Sequence, residues 1–164
     1  MMKNLLFLGI ILSLTACLPN SEKTVERHSF FELKSFMQQE IERLQASQIS
    51  IKKTVWLDDQ KEQKRLDTVD WETELSLFIK GDINKPSWVE KYTVDSTFGA
   101  SGELQELNYK TNDEELFTQA LDIKFEQNKV HSIVMVNHVN NAVYGAQQYL
   151  TYIPQKGYTI DKTQ

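Results

Sequence analysis

The chain has 164 residues, of which 40% are hydrophobic and 25% charged, with one cysteine and a formal net charge of -5. A chain of this length forms one domain of ordinary size, and this balance excludes full disorder and an integral membrane protein. A single cysteine excludes an internal disulfide and a multi-cysteine metal site. The acidic excess argues against a nucleic-acid partner, which needs a cationic surface to displace phosphate counterions.

The first segment reads Met1-Met2-Lys3-Asn4, then an apolar stretch over residues 5–16, then Cys17. A bilayer-spanning helix needs roughly 20 apolar residues. This stretch is shorter, and Pro19, Asn20, Ser21, Glu22 and Lys23 follow at once, so it reads as a cleaved export signal. The junction Leu14-Thr15-Ala16-Cys17 resembles the lipobox of bacterial lipoproteins. The resemblance covers residues 1–17. It implies cleavage before Cys17, lipidation of its sulfur, and attachment to the membrane through that residue. Leu18 stands where an aspartate would retain a lipoprotein in the inner membrane, so the expected location is the cell envelope, at the outer membrane. One acyl chain holds a protein only weakly; two or more make attachment stable. The expected organisation is a signal peptide over 1–16, a lipidated cysteine and flexible tether over 17–28, and a single domain over 29–164. The tether after Cys17 reaches at most about 40 Å when extended.

Ser29 and Glu32 fit a capping box. Phe30, Leu33, Met37, Ile41 and Leu44 then fall on one helical face, which predicts a helix over 29–46. Ile49, Ile51, Val55 and Leu57 share one parity and predict a strand over 49–57. A polar turn follows from Asp58 to Lys61, then a weak, exposed strand over 62–68. Asp70 caps a second helix carrying Trp71, Leu75, Phe78 and Ile79 on one face, with Gly81 at its end. The segment 83–90, with Trp88, is a loop.

From Lys91 onward the period changes to two. Strands are predicted over 91–98, 103–110, 117–126, 130–138, 146–153 and 157–161. Gln127-Asn128 suits a tight turn, because Asn tolerates positive φ. Regular pairing across that turn puts Leu121 and Phe125 on one face with Val130, Val134 and Val136. Pro154-Gln155-Lys156-Gly157 is a further turn. The fold class is therefore α+β: two N-terminal helices packed on a curved antiparallel sheet, a C-terminal meander.

No catalytic set, metal site or cofactor motif emerges. His131 and His138 differ by an odd number of positions, so a regular strand points them to opposite faces; His28 lies in the tether. Asp113-Glu114-Glu115 lacks the spaced loop that wraps calcium and reads as a solvated turn. Gly99-Ala100-Ser101-Gly102 lacks a nucleophile elbow. The chain is read as non-enzymatic. The strand from Val130 to His138 is apolar on both faces, Val130, Val134 and Val136 against Ile133 and Met135. Only two helices are available as cover. Sheet curvature or the 83–90 loop with Trp88 covers the second face, which is the preferred reading; otherwise it is left as an exposed apolar face bearing Ile133, Met135 and Tyr152, a candidate ligand site. The body resembles small envelope lipoproteins of unknown function that pair helices with a C-terminal meander, with Tyr149-Leu-Thr-Tyr-Ile-Pro-Gln-Lys-Gly-Tyr158 its most distinctive run. That resemblance transfers no active residue. The expected function is a membrane-tethered binding or assembly module with an envelope protein partner. The alternative is a carrier or acceptor of a hydrophobic ligand on the concave sheet face; a hydrolase ranks third.

Overall fold

The computed structural model describes residues 30–140 and 145–163. The predicted signal segment, Cys17, the predicted tether and Ser29 lie outside the described residues. The fold is a mixed α+β arrangement with few helices and a large antiparallel sheet. In chain order come α1 (Leu33–Ser47), the strands β1 (Ile51–Leu57) and β2 (Gln60–Leu66), and two short helices, α2 (Trp71–Glu74) and α3 (Ser76–Lys80). A 3-10 turn (Val89–Lys91) leads to β3 (Thr93–Phe98), β4 (Leu104–Lys110), β5 (Thr118–Glu126), β6 (Lys129–Asn140), β7 (Gly145–Ile153) and β8 (Gly157–Thr163). These last six form one sheet in sequential order, each strand antiparallel to the next. Such a meander costs little loop entropy, because each connection is short. The strands β1 and β2 form a separate two-stranded hairpin.

The β1–β2 hairpin separates α1 from the later helices, where the sequence predicts two strands, so the helices do not form a simple N-terminal pair. The departure is in the second predicted helix, which breaks at Leu75 into α2 and α3. Leu75 leaves helical geometry (φ -100°, ψ 6°) and its side chain is fully buried. The break keeps Trp71, Leu75 and Phe78 all in the core. The start of α1 also differs. Glu32 occupies the N-cap position, so Phe30 and Phe31 precede the helix. Tertiary contacts hold them there. The Phe31 N–H donates to Tyr109 Oη (3.0 Å), and the Phe30 N–H donates to Asn84 Oδ1 (3.3 Å). Phe30 packs edge-on against Tyr109 at 5.3 Å, and Phe31 against Phe125 at 6.2 Å. Edge-to-face ring pairs of this kind stabilise by about 0.5–1.5 kcal/mol beyond their area, enough to override a weak local cap preference.

The expected caps and turns at other positions are present. Asp70 accepts from the Thr73 N–H (3.1 Å) at the start of α2. Gln127 and Asn128 both take positive φ (51° and 59°) between Glu126 and Lys129, which pair directly. Gly81 acts differently from a left-handed cap, since its φ is -75°. The reason for glycine there is close approach to Met135.

The core lies between the helices and one face of the sheet. Leu33, Met37, Ile41 and Leu44 of α1 supply it, as the 3.6-residue spacing predicts. The sheet supplies Tyr109, Leu121, Ile123, Ile133, Met135, Leu150 and Tyr152. Here the predicted face assignment is corrected. Lys124 pairs with Ser132 but Phe125 pairs with Val130, so β6 bulges at His131. One extra residue in one strand reverses the facing of everything beyond it. Leu121 therefore sits opposite Met135, and Ile123 opposite Ile133, rather than with Val134 and Val136. Those two valines share the other face with Asn108, Asp122, Thr151 and Tyr149.

Candidate functional site

Ile133, Met135 and Tyr152 are the residues that the sequence offers as an exposed ligand surface. The structure places them on the helix-covered face. Ile133 and Met135 are fully buried and Tyr152 is 3% exposed. They are core, and the bulge at His131 is the cause. The Tyr152 hydroxyl donates to Glu40 Oε2 (2.6 Å), and Arg43 grips the same carboxylate (2.8 Å). Burial pushes the Glu40 carboxyl up, but hydrogen bonds from Arg43 and Tyr152 outweigh it and hold the group below its ordinary value. The cluster fastens α1 to β7.

The histidines do not converge. His131 stands on the bulge, exposed, with Nδ1 3.0 Å from Glu126 Oε2. His138 lies at the far end of β6, roughly 20 Å away along the strand. Asp113 is engaged within its own turn: it accepts from the Glu115 N–H (3.1 Å) and pairs with Lys91 (2.5 Å). The Lys91 hydrogen bond lowers the Asp113 pKa. Among the described residues, no three His, Cys, Asp or Glu side chains gather in a way that could hold a metal ion. Gly99 to Gly102 form the turn between β3 and β4, where Gly102 takes φ 86° and the Ser101 hydroxyl donates to Glu103. No described helix is long and apolar enough to cross a membrane.

The least ordinary surface is the β1–β2 hairpin, which the sequence reading treats only as two weak strands. Val55 is 48% exposed, Trp56 62% and Leu57 72%. An isolated two-stranded hairpin is marginal in water and depends on packing against something else. The base of this one meets the body on one face. Ile51 packs against the core, and the Lys53 ammonium binds both oxygens of Glu74 at the end of α2 (2.6 and 2.8 Å). The Tyr158 hydroxyl of β8 donates to the same Glu74 carboxylate. Burial raises the Glu74 pKa, but the Lys53 and Tyr158 hydrogen bonds pull it below the ordinary value.

Strand alternation then decides what the other face carries. Because Ile51 and Lys53 turn inward, Lys52, Thr54 and Trp56 turn outward. Their cross-strand partners are Arg65, Gln63 and Lys61. All six are exposed. The Lys61 ammonium sits over the Trp56 ring, 4.8 Å from its centroid. Gln63 donates to Thr54 Oγ1 (3.2 Å). Arg65 reaches Asp67 (3.0 Å) and Ser50 (2.8 Å) beyond the strands. The outward face thus carries an indole with Lys61 over it and, four residues along, the Lys52–Arg65 pair, and none of its six side chains is a carboxylate. Asp58 and Asp59 form the turn, and Glu62 shares the inward face with Val55.

Comparison with protein-family models, with curated proteins and with solved structures returns no match. Function must be argued from this geometry and from the sequence.

Proposed function

We propose that the chain is a lipid-anchored binding or assembly module of the cell envelope, held through Cys17, with the β1–β2 hairpin as its binding element. The observation that carries this reading is the end of the hairpin, where Trp56 is exposed on the outward face and Val55 and Leu57 are exposed on the opposite one. Large exposed apolar side chains at one end of an element mark an interaction site, and Trp is among the residues enriched where binding energy concentrates. The anchor rests on the resemblance of Leu14-Thr15-Ala16-Cys17 to a lipobox. The outer membrane is the proposed location because Leu18 rather than aspartate follows the cysteine.

Two measurements test the reading. Palmitate labelling and membrane fractionation of wild type against Cys17→Ser test the anchor: label and membrane association are expected in wild type and lost in the variant. A photoreactive aromatic residue at position 56 of the full chain, irradiated in intact envelopes, tests the binding element. It is expected to give adducts absent from the same probe at Gln127, an exposed turn position. Equal yields at the two positions would remove the hairpin from the reading.

A further inference from the structure

We infer that the outward face of the β1–β2 hairpin docks on an anionic phospholipid surface, the bilayer that carries the Cys17 anchor. The inference rests on the anchored reading above and names what its binding element contacts. Its first support is charge. The whole chain is acidic at -5, yet this one face carries Lys61 over Trp56 and the Lys52–Arg65 pair about 13 Å further along the strands, with no acid among its six strand side chains. Asp67 offsets part of the Arg65 charge, and the Asp58–Asp59 turn stands close to Lys61, so Lys52 is the cation of the face furthest from a carboxylate of the hairpin end. Juxtamembrane cations are drawn to anionic headgroups, and each raises partition by roughly fivefold. The second support is the indole itself. Trp settles at the headgroup level, where its ring is apolar and its N–H stays wet, and lysine stems lie along apolar surface while the ammonium stays in water.

The third support is reach. The helix α1 runs from Leu33 to Ser47 and leads almost directly into β1. Its length is about 22 Å. The chain from Cys17 to Phe30 can extend to about 45 Å. The tether therefore spans α1 with length to spare, and the hairpin can meet the same bilayer as the anchor. A lipid foot and a cationic hairpin then make two contacts with one surface, and the second fixes the orientation of the domain. An acidic protein partner would meet the same charges, and an open cavity at the hairpin base, lined by Ser50, Ile51, Lys52, Gln63, Lys64 and Arg65, lies beside them; Trp56 is not part of its lining, and the indole is what favours the bilayer.

The test uses the chain from Ser21 on, which retains every described residue of the fold and lacks the acylated cysteine. It is mixed at low ionic strength with vesicles of phosphatidylglycerol and phosphatidylcholine in equal parts, and with phosphatidylcholine alone. Expected is co-sedimentation with the anionic vesicles only, a blue shift in tryptophan emission that Trp56→Phe abolishes, and loss of binding on adding salt. The triple variant Lys52→Glu, Lys61→Glu, Arg65→Glu changes exposed side chains only and should bind at least roughly tenfold more weakly. Equal binding to both vesicle types, unchanged binding by the triple variant, or no binding would overturn the inference. So would a discrete protein adduct, rather than a lipid adduct, from the probe at position 56. Failure of palmitate labelling with intact vesicle binding would remove the anchor and leave the hairpin contact standing, so the two failures are separable.

Discussion

A side chain at Gly81 would collide with Met135: an ideal Cβ there stands 1.8 Å from Met135 Cε. The contact joins the end of α3 to the middle of β6, so it sets how closely helix and sheet approach. Gly81→Ala should destabilise the protein by about 1–3 kcal/mol, the usual cost of overpacking a filled core. The obstructing atom is the end of a flexible side chain, so shortening that side chain relieves the collision. Met135→Ala alone should cost about 2–5 kcal/mol through its cavity. In the Met135→Ala background, Gly81→Ala should cost much less than it does alone. Urea denaturation of the four proteins gives the coupling directly; strictly additive costs would show that the two residues do not meet.

The Glu74 carboxylate ties three elements together: Lys53 of β1, Tyr158 of β8 and its own helix α2. Its pKa lies below the ordinary 4.5 in the folded protein. A carboxyl with a depressed folded pKa binds fewer protons folded than unfolded. Its stabilisation is therefore complete above the ordinary value and is lost as pH falls through the folded one. Stability should decline below about pH 4.5, and Glu74→Gln should flatten that part of the curve. The difference between variant and wild type should be largest at neutral pH and shrink on acidification. The Lys53 side chain is 39% exposed, so solvent screening limits the ion pair to a modest share of the effect.

Most of the fold was legible in the sequence, and the departures have identifiable causes. The α1 stripe from Leu33 to Leu44, the Asp70 cap and all six meander strands follow from periodicity and turn chemistry. The early end of Phe30 and Phe31 as helix was not legible, because their partners Tyr109, Asn84 and Phe125 are distant in sequence. Nor was the bulge at His131. A one-residue insertion leaves no mark on composition, yet it moved Ile133 and Met135 from the expected open face into the core. The hairpin was readable as strands, but its outward set of Lys52, Trp56, Lys61 and Arg65 became visible only with the register known. Trp56 standing between Val55 and Leu57 in an otherwise charged stretch was the signal available.

Tyr152 links the last third of the chain to the first helix through its hydrogen bond to Glu40. A hydrogen bond to a charged group contributes about 1.5–3 kcal/mol. Tyr152→Phe keeps the ring, its packing against Phe78 at 5.8 Å and its burial, so the loss reports the hydroxyl alone. A drop of about that size is expected in the free energy of unfolding. The double variant with Glu40→Ala should lose less than the sum of the single losses, because each removes the same bond. Strict additivity would show that the two side chains do not interact.

The hairpin end should behave in the opposite way to the core. Trp56 and Leu57 are mostly exposed, and surface substitutions away from special features shift stability by about ±0.5 kcal/mol. Trp56→Ala and Leu57→Ser should therefore leave thermal unfolding nearly unchanged, whereas Ile133→Ala should lower stability by about 2–5 kcal/mol. Lys53→Ala is the intermediate case. It cuts the tie to α2 but leaves Ile51 against the core, so the hairpin should loosen without unfolding the body. Amide hydrogen exchange separates these outcomes, because a local opening of residues 51–66 would speed exchange there alone. Trp56→Ala should leave that exchange pattern close to wild type. A large loss of global stability on removing Trp56 would mean that the indole is spent on the fold, and a side chain needed for packing is not free to bind anything else.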